Sequence, residues 1–327
     1  MIRWVWPFVL VLPYASGTLS LGQVNILVLF LCVWAFRSLT RRRDLWSGAL
    51  LGLAATIKLY PLIFIVPLLM KARWRAIVGL VVSFLLLAGG LSLAGLGGRG
   101  TIEAHRQWWA ETSGKNLAAD VAEGAGVPGS APVGEAGGGV AFTPHTNEFH
   151  RHNNQSLAVV VRRLTTPLEW QGRVHEPWLR LTLDQAKWAY RGLALALLLC
   201  LTAIAWRRRS EDIGLGEWSA WLASVIAFVP VFWTHYFVLL LPAAVLMAMQ
   251  SYADRLRGHP WRTAAFLQVG WLAGLLLLGS REARWWGLQA GLALALGVWT
   301  ATFPARRSAP RGGAADVSPF RSAAAAE

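Results

Sequence analysis

Apolar residues in this chain come in long blocks, and short basic stretches separate the blocks. A bilayer crossing takes about 20 apolar residues for about 30 Å of hydrocarbon. Blocks of that order lie at 4–19, 22–37, 74–96, 188–206, 217–231, 234–250, 262–279 and 284–303. They predict an all-α polytopic membrane protein of about eight spans. Segment 45–70 is also apolar, but Lys58-Leu59-Tyr60-Pro61 interrupts it. Each half would make a helix of roughly 16–20 Å, too short to cross alone. Arg41, Arg42 and Arg43 precede it, and Lys71, Arg73 and Arg75 follow. With both clusters on one side of the membrane, 45–70 enters and returns as a re-entrant pair of short helices. Such breaks occur where backbone is buried in protein or lines a cavity. The first block contains Pro7 and Pro13 and runs into Gly22 without an A-x-A cleavage site. It reads as a retained span rather than a signal peptide.

Composition agrees. Of 327 residues, 55% are hydrophobic and 15% charged, against about 25% charged in an ordinary soluble protein, and mean hydropathy is +0.43. This excludes a soluble globular enzyme and a disordered chain. The 19 Trp suit interfacial aromatic belts. Cys32 and Cys200 lie in apolar runs and make no CxxC or disulfide framework.

The net charge of +14 has two readings, a nucleic-acid footprint or a topology signal. Partitioning the chain decides between them. Segment 97–187 holds nine Lys+Arg and nine Asp+Glu, and the remainder holds 22 and 8. The whole excess gathers at 37–43, 71–75, 207–209, 255–262 and 306–321. These clusters are predicted to be cytoplasmic, which leaves 97–187 as one long external loop and no role for nucleic acid.

Within that loop, 101–111 reads as an interfacial helix with Trp108 and Trp109 at the headgroup level. Residues 112–147 hold eight Gly and seven Ala, too few large apolar groups to order themselves, and read as a flexible insertion. Order is expected to resume near 150. Asn153 or Asn154 would N-cap a helix from Gln155 to Leu164. Its apolar residues Leu157, Val160, Val161 and Leu164 share one face, so it would lie on the membrane, with Arg162 and Arg163 near the phosphate layer. The Ala-, Pro-, Gly-, Ser- and Arg-rich stretch 304–327 reads as a disordered cytoplasmic tail.

Polar groups inside spans are rare and tend to face cavities or partners. Gln23 and Asn25 follow Gly22 at the external end of a span, as a helix-start cap or as the lining of a polar cleft. Lys58 stands at the break of the re-entrant pair, either snorkelling or holding a phosphate or carboxylate. Trp233-Thr234-His235-Tyr236 falls between two apolar runs at the external face. Trp233 and Tyr236 suit the aromatic belt. Thr234 and His235 do not, and His235 can donate to a phosphate or carry a proton. His145, His150 and His152 with Glu148 match no strong metal-ligand spacing, and no metal is expected. Asn154-Gln155-Ser156 fits a glycosylation sequon, which matters only in a secretory-pathway host.

These places also carry a family resemblance. Gly22-Gln23-Val24-Asn25, the run Gly48 to Pro61, Lys71-Ala72-Arg73-Trp74-Arg75, Asn154-Gln155-Ser156-Leu157, and Trp233-Thr234-His235-Tyr236 with Leu241-Pro242 occur in order. Together they resemble glycosyltransferase family 87, the polyprenyl-phosphate-mannose-dependent mannosyltransferases of GT-C architecture, over most of 4–303 apart from 112–147. The resemblance implies a GT-C-like membrane domain over 1–303 in a bacterial inner membrane. It implies transfer of a hexose, mannose first, from a polyprenyl-phosphate donor to a glycolipid or glycan acceptor at the outer face, without a further cofactor. Lys58, His235 and one of Arg162 and Arg163 would hold the donor phosphate. Gln23, Asn25, Asn154 and Gln155 would line the sugar or acceptor cleft, with Thr234 beside His235.

The family's general base is an acidic residue in the first external loop, on N-terminal sequence that precedes the equivalent of this chain's start. No Asp or Glu lies upstream of Gly22. Glu103, Glu148 and Asp184 are the external acids that could substitute. Two other readings stay open at this point. Broken helices and an intramembrane Lys also belong to lipid or solute transporters, although no internal repeat is found. The missing acid would fit an inactive, truncated remnant.

Overall fold

The computed structural model describes residues 2–109, 155–166, 168–170, 173–175, 177–229, 234–256 and 287–301. Along them run α1 (Ile2–Ser20), α2 (Asn25–Thr40), α3 (Asp44–Ile57), a 3-10 turn (Tyr60–Phe64), α4 (Ile65–Met70), α5 (Trp74–Phe84), a π-helical turn (Leu85–Gly90) and α6 (Leu91–Trp109). The next described elements are α7 (Leu157–Thr165), strands β1 (Leu168–Trp170) and β2 (Arg173–His175), α8 (Leu183–Arg207), α9 (Leu215–Phe228), a 3-10 turn (Thr234–Leu240), α10 (Leu241–Leu256) and α11 (Leu288–Ala301). The expected flexible insertion, the 262–279 block and the tail lie outside the described residues. The antiparallel pairing of Leu168–Trp170 with Arg173–His175 was not anticipated. Three-residue strands are too short to leave a periodic signature.

The helices are apolar, as the blocks predict. Trp74–Gln107 and Asp184–Arg207 are each long and apolar enough to cross a membrane, and most of both lies exposed. Phe8, Leu12, Phe30, Trp34, Leu86 and Leu199 also present their side chains outward. This arrangement suits an integral membrane protein, where lipid replaces water around such surfaces. The inner member is α9, whose residues 216–227 are all buried. Trp218 at its start stacks on Phe64 (3.9 Å between centroids) and meets Phe36 at 5.5 Å.

Small residues set the closest approaches. Gly48, Gly52 and Gly79 bring α3 and α5 into backbone contact, the arrangement small residues permit between membrane helices. Serines add hydrogen bonds across the pairs. Ser47 Oγ donates to the Ala35 carbonyl of α2 (2.8 Å), and Ser83 Oγ on α5 donates to the Ala49 carbonyl of α3 (3.0 Å). α1 packs on the 234–240 turn and on α10, with Tyr14 against Phe237 at 5.2 Å. The first block is thus a member of the bundle.

The basic clusters do share one end. Arg42 pairs with Asp212 (2.9 Å), Arg73 with Asp44 (3.3 Å) and also with Asp212, and Lys71 with Glu217 (3.2 Å). Lys71 also donates to the Arg208 carbonyl. So α3 leaves from this basic end and α4 returns to it. The pair reaches further than a shallow re-entrant loop would, because Lys58 at its break touches Gln23 in the turn between α1 and α2.

Residues 110–111 of the expected helix 101–111 lie outside the described residues, and 101–109 are helical, as the last part of α6. A kink at Gly97 (φ 67°, ψ 176°) turns it away from the preceding span. That backbone region is essentially restricted to glycine, and a Cβ there would meet no neighbour. Gly97→Ala should therefore cost about 1–3 kcal/mol through backbone strain alone. Neighbouring Gly98→Ala, with ordinary φ and open space, should cost almost nothing. Equilibrium unfolding of the two variants checks the contrast.

Candidate functional site

The site is built from the α3 break. Pro61 lacks an amide hydrogen, and in a continuing α-helix its ring would clash with the carbonyl four residues back, that of Ile57. α3 accordingly stops at Ile57, and Lys58 is extended (φ −147°, ψ 131°), its amide closing on Ala54. That geometry sends the Lys58 side chain toward the end of the bundle opposite the basic cluster. Its Nζ donates to Gln23 Oε1 at 3.3 Å and to Tyr236 Oη at 2.7 Å, and lies 4.1 Å from the Tyr236 ring centroid. Tyr60 packs edge-on against Tyr236 with centroids 6.4 Å apart. Three segments distant in sequence thus converge on one ammonium: the α1–α2 turn, the α3 break and the 234–240 turn.

The charge balance at this point is informative. Among the described residues no carboxylate contacts Lys58; its partners are an amide oxygen and a phenol. Tyr60 Oη is buried without a hydrogen-bond partner among the described residues. So are both polar atoms of the Asn25 side chain, at the first turn of α2 and fully buried. Buried polar groups are normally paired. A cation without a carboxylate partner, beside the Tyr60–Tyr236 pair whose Tyr60 hydroxyl is unpaired among the described residues, is an environment suited to an anion carrying hydroxyls.

A second polar group lies on α7. The predicted Asn153 or Asn154 cap is corrected to Ser156, whose Oγ accepts from the Val159 amide, and the helix runs Leu157–Thr165. Asn154 itself lies outside the described residues. Gln155 and Ser156 are fully buried. Arg162 and Arg163 are buried too, at 7% and 1% exposure, rather than displayed toward the phosphate layer. Arg163 Nε donates to the Val159 carbonyl at 3.5 Å. Burial lowers its guanidinium to about 9, so it stays cationic at neutral pH. The correction has a physical reason: α7 packs on α8 and α9, and Gly287 ahead of α11 abuts Val160. Protein therefore covers the arginine-bearing side. α9 touches both α7 and the 234–240 turn, so the two polar groups share one neighbour.

Other expected residues fare differently. Thr234 opens its 3-10 turn and is half-buried. His235 lies in the same turn, and its side chain is outside those described. Glu103 is exposed beyond the Gly97 kink, accepting from Gln107 one turn on at 3.4 Å. Asp184 sits in the first turn of α8, paired with Lys187 at 3.1 Å. These are the surface and helix-start roles ordinary for acids. Glu148 and the His145, His150 and His152 group lie outside the described residues. Among those described, no three metal-ligating side chains cluster. Sequence reasoning gave Tyr236 to the aromatic belt and passed over Tyr60. Their proximity to Lys58 depends on a contact 178 residues apart, although Tyr60 stands two positions after Lys58 in the break itself.

Comparison with known proteins adds one positive finding. Residues 1–130 match the model of glycosyltransferase family 87. The resemblance read from the motifs is supported over that stretch, which includes Gln23, Asn25, Lys58 and the Lys71–Arg75 cluster and runs into the 112–147 segment. The motifs at Asn154–Leu157 and Trp233–Tyr236 lie beyond it. No curated protein and no solved structure matches the chain.

Proposed function

With residues 1–130 matching a family of glycosyltransferases, we propose that this chain is a membrane glycosyltransferase whose donor is a polyprenyl-phosphate hexose, mannose first, and whose acceptor is a glycolipid or glycan. The transfer takes place at the outer face, the end bearing Lys58. One observation carries this reading: the Lys58 ammonium, held by Gln23 and Tyr236 with no carboxylate in contact among the described residues.

The chemistry follows from that group. In the transfer, the bond between the anomeric carbon and the phosphate oxygen breaks while a bond to the acceptor oxygen forms. The acceptor hydroxyl loses its proton to a base, and the polyprenyl phosphate leaves with one more negative charge. A cation at the phosphate is worth more as that charge develops, so Lys58 favours the transition state over the bound donor. The Tyr236 hydroxyl and the Gln23 carbonyl hold the ammonium in place. Asn25 and Tyr60 supply hydroxyl-recognising groups nearby, and Arg162 or Arg163 is a second cation for the pyranosyl phosphate. The base that the family resemblance calls for is an acidic side chain, and Glu103, Glu148 and Asp184 are this chain's candidates for it.

The test is transfer of labelled mannose from its polyprenyl phosphate in membranes containing the protein. A charge-assisted hydrogen bond is worth about 1.5–3 kcal/mol, so Lys58→Ala should slow transfer about 10- to 100-fold. Lys58→Arg should recover part of it, and Tyr236→Phe should lose less than tenfold. Unchanged rates in Lys58→Ala would overturn the site. Flux of the lipid-linked sugar across proteoliposomes without transfer would overturn the enzyme reading in favour of a transporter.

A further inference from the structure

The end of the bundle opposite Lys58 carries a second feature, independent of the proposed transfer. An open cleft of about 620 Å³ lies there, lined by Arg42, Arg43, Asp44, Leu45, Trp46 and Arg75 among others. Its construction follows from the α3–α5 crossing. Gly48 and Gly79 let the two backbones touch, which brings Arg43, just ahead of α3, and Arg75, in the first turn of α5, to the same opening.

The charges there are unevenly matched. Arg42 is paired with Asp212, and Asp44 is paired with Arg73. Arg43 and Arg75 are both exposed and have no ion pair among the described residues. The cleft therefore presents two uncompensated guanidiniums, groups suited to forked hydrogen bonding with a phosphate.

Its walls are apolar and outward-facing, with Leu45 58% and Trp46 51% exposed. From Trp46 an aromatic row continues along the surface of α2. Trp46 meets Trp34 at 6.3 Å, Trp34 meets Phe30 at 5.6 Å, and all three residues are exposed. Cations at the head and an exposed apolar lane leading away from them match a molecule with an anionic head and a hydrocarbon chain. A soluble anion would use the arginines and leave the lane uncovered.

We propose that this cleft binds the headgroup phosphate of an anionic phospholipid, with an acyl chain lying along the Trp46–Trp34–Phe30 row. Basic pockets between membrane helices at the cytoplasmic side are a general means of holding such headgroups. Two phosphate-facing arginines over an aromatic lane distinguish this one from the diffuse attraction of a basic loop.

The experiment is native mass spectrometry of the full chain in detergent, equilibrated with equal amounts of phosphatidylglycerol and phosphatidylcholine. The wild type should retain phosphatidylglycerol preferentially. Each cation near an anionic surface contributes about fivefold, so Arg43→Gln/Arg75→Gln should reduce that retention roughly 20-fold. Trp34→Ala/Trp46→Ala should weaken both lipids and leave the preference between them intact. Arg99→Gln, an exposed arginine beyond the Gly97 kink, should change nothing. Melting curves of each variant without lipid separate loss of binding from loss of fold. Equal retention of the two lipids by the wild type overturns the proposal, as does an unaffected Arg43→Gln/Arg75→Gln variant that melts normally. Inorganic phosphate displacing the lipid at matched concentration would show an anion site with no use for the aromatic lane, and would overturn it as well. None of these outcomes depends on sugar transfer.

Discussion

Replacing Gly48 by alanine should lower the stability of the folded protein by about 3 kcal/mol or more. A Cβ at Gly48 would fall inside the van der Waals shell of the Ala76 carbonyl oxygen, and would stand 2.7 Å from its carbon and 2.8 Å from the Leu80 amide nitrogen. All three are backbone atoms of α5, so no side-chain rotation relieves the overlap and one helix must move away. Overpacking costs typically about 1–3 kcal/mol where side chains can adjust, and here they cannot. Gly52, one turn on, is held the same way, with a Cβ 2.5 Å from the Leu80 oxygen and 2.8 Å from Ser83 Cβ. Separation would also stretch the hydrogen bond from Ser83 to the Ala49 carbonyl. Gly89→Ala is the matched control, since nothing lies within 4 Å of its would-be Cβ; it should stay within about 0.5 kcal/mol of the wild type. Reversible unfolding in mixed micelles measures both, and equal stability of the two variants would remove the close α3–α5 crossing from the account. The same crossing holds Arg43 and Arg75 together, so Gly48→Ala should also impair the lipid cleft.

The second large effect concerns Lys71 and Glu217. Their side chains are 2% and 6% exposed, with Nζ 3.2 Å from Oε2. Lys71→Met leaves the Glu217 carboxylate buried without its cation, a change that costs about 3–5 kcal/mol in comparable sites. Glu217→Leu strands Lys71 similarly, although the Arg208 carbonyl still accepts from its ammonium, so its loss should be the smaller. The double variant Lys71→Met/Glu217→Leu removes both charges and should recover most of the stability, because well-packed apolar replacements of a buried pair are often neutral. A double-mutant cycle read by unfolding gives the coupling directly. Additive single losses would mean that the two groups do not depend on each other. The pair fastens the return of α4 to the start of α9, the helix at the centre of the bundle.

Much of this architecture is legible in hydropathy. The blocks at 22–37, 74–96, 188–206 and 217–231 correspond to α2, α5 with the start of α6, α8 and α9, and those at 74–96 and 188–206 fall in the two described helices long and apolar enough to cross a membrane. The shared side of the 41–43 and 71–75 clusters also follows from charge, and Arg42, Arg73 and Asp212 make that grouping explicit. Lys58 stands out because an ammonium in an apolar run needs a reason.

Pairings are less legible. Nothing local distinguishes Tyr236 as a partner of Lys58 from Tyr236 as an interfacial aromatic, since either role asks for a ring with a polar tip. The cap of α7 falls at Ser156, whose Oγ accepts from the Val159 amide, and sequence alone does not rank it against Asn153 or Asn154 because all three are good caps. Periodicity placed Leu157, Val160, Val161 and Leu164 on one face, but it carried no information that protein would also cover Arg162 and Arg163. The lysine at 71 looked like one more member of a surface cluster, and its burial depends on a glutamate 146 positions away in a different apolar block.

The π-helical turn at Leu85–Gly90 has a consequence for everything after it. An α-helix advances about 100° per residue, and a π turn amounts to one inserted residue. Rotational phase therefore slips by about a quarter of a circle between α5 and α6. Upstream, Ala76, Gly79 and Leu80 face α3 and are buried. Downstream, that azimuth is handed to a different set of positions, and none of residues 85–90 is buried. The stretch from Trp74 to the Gly97 kink thus carries two angular settings, the first indexed to the bundle and the second released from it.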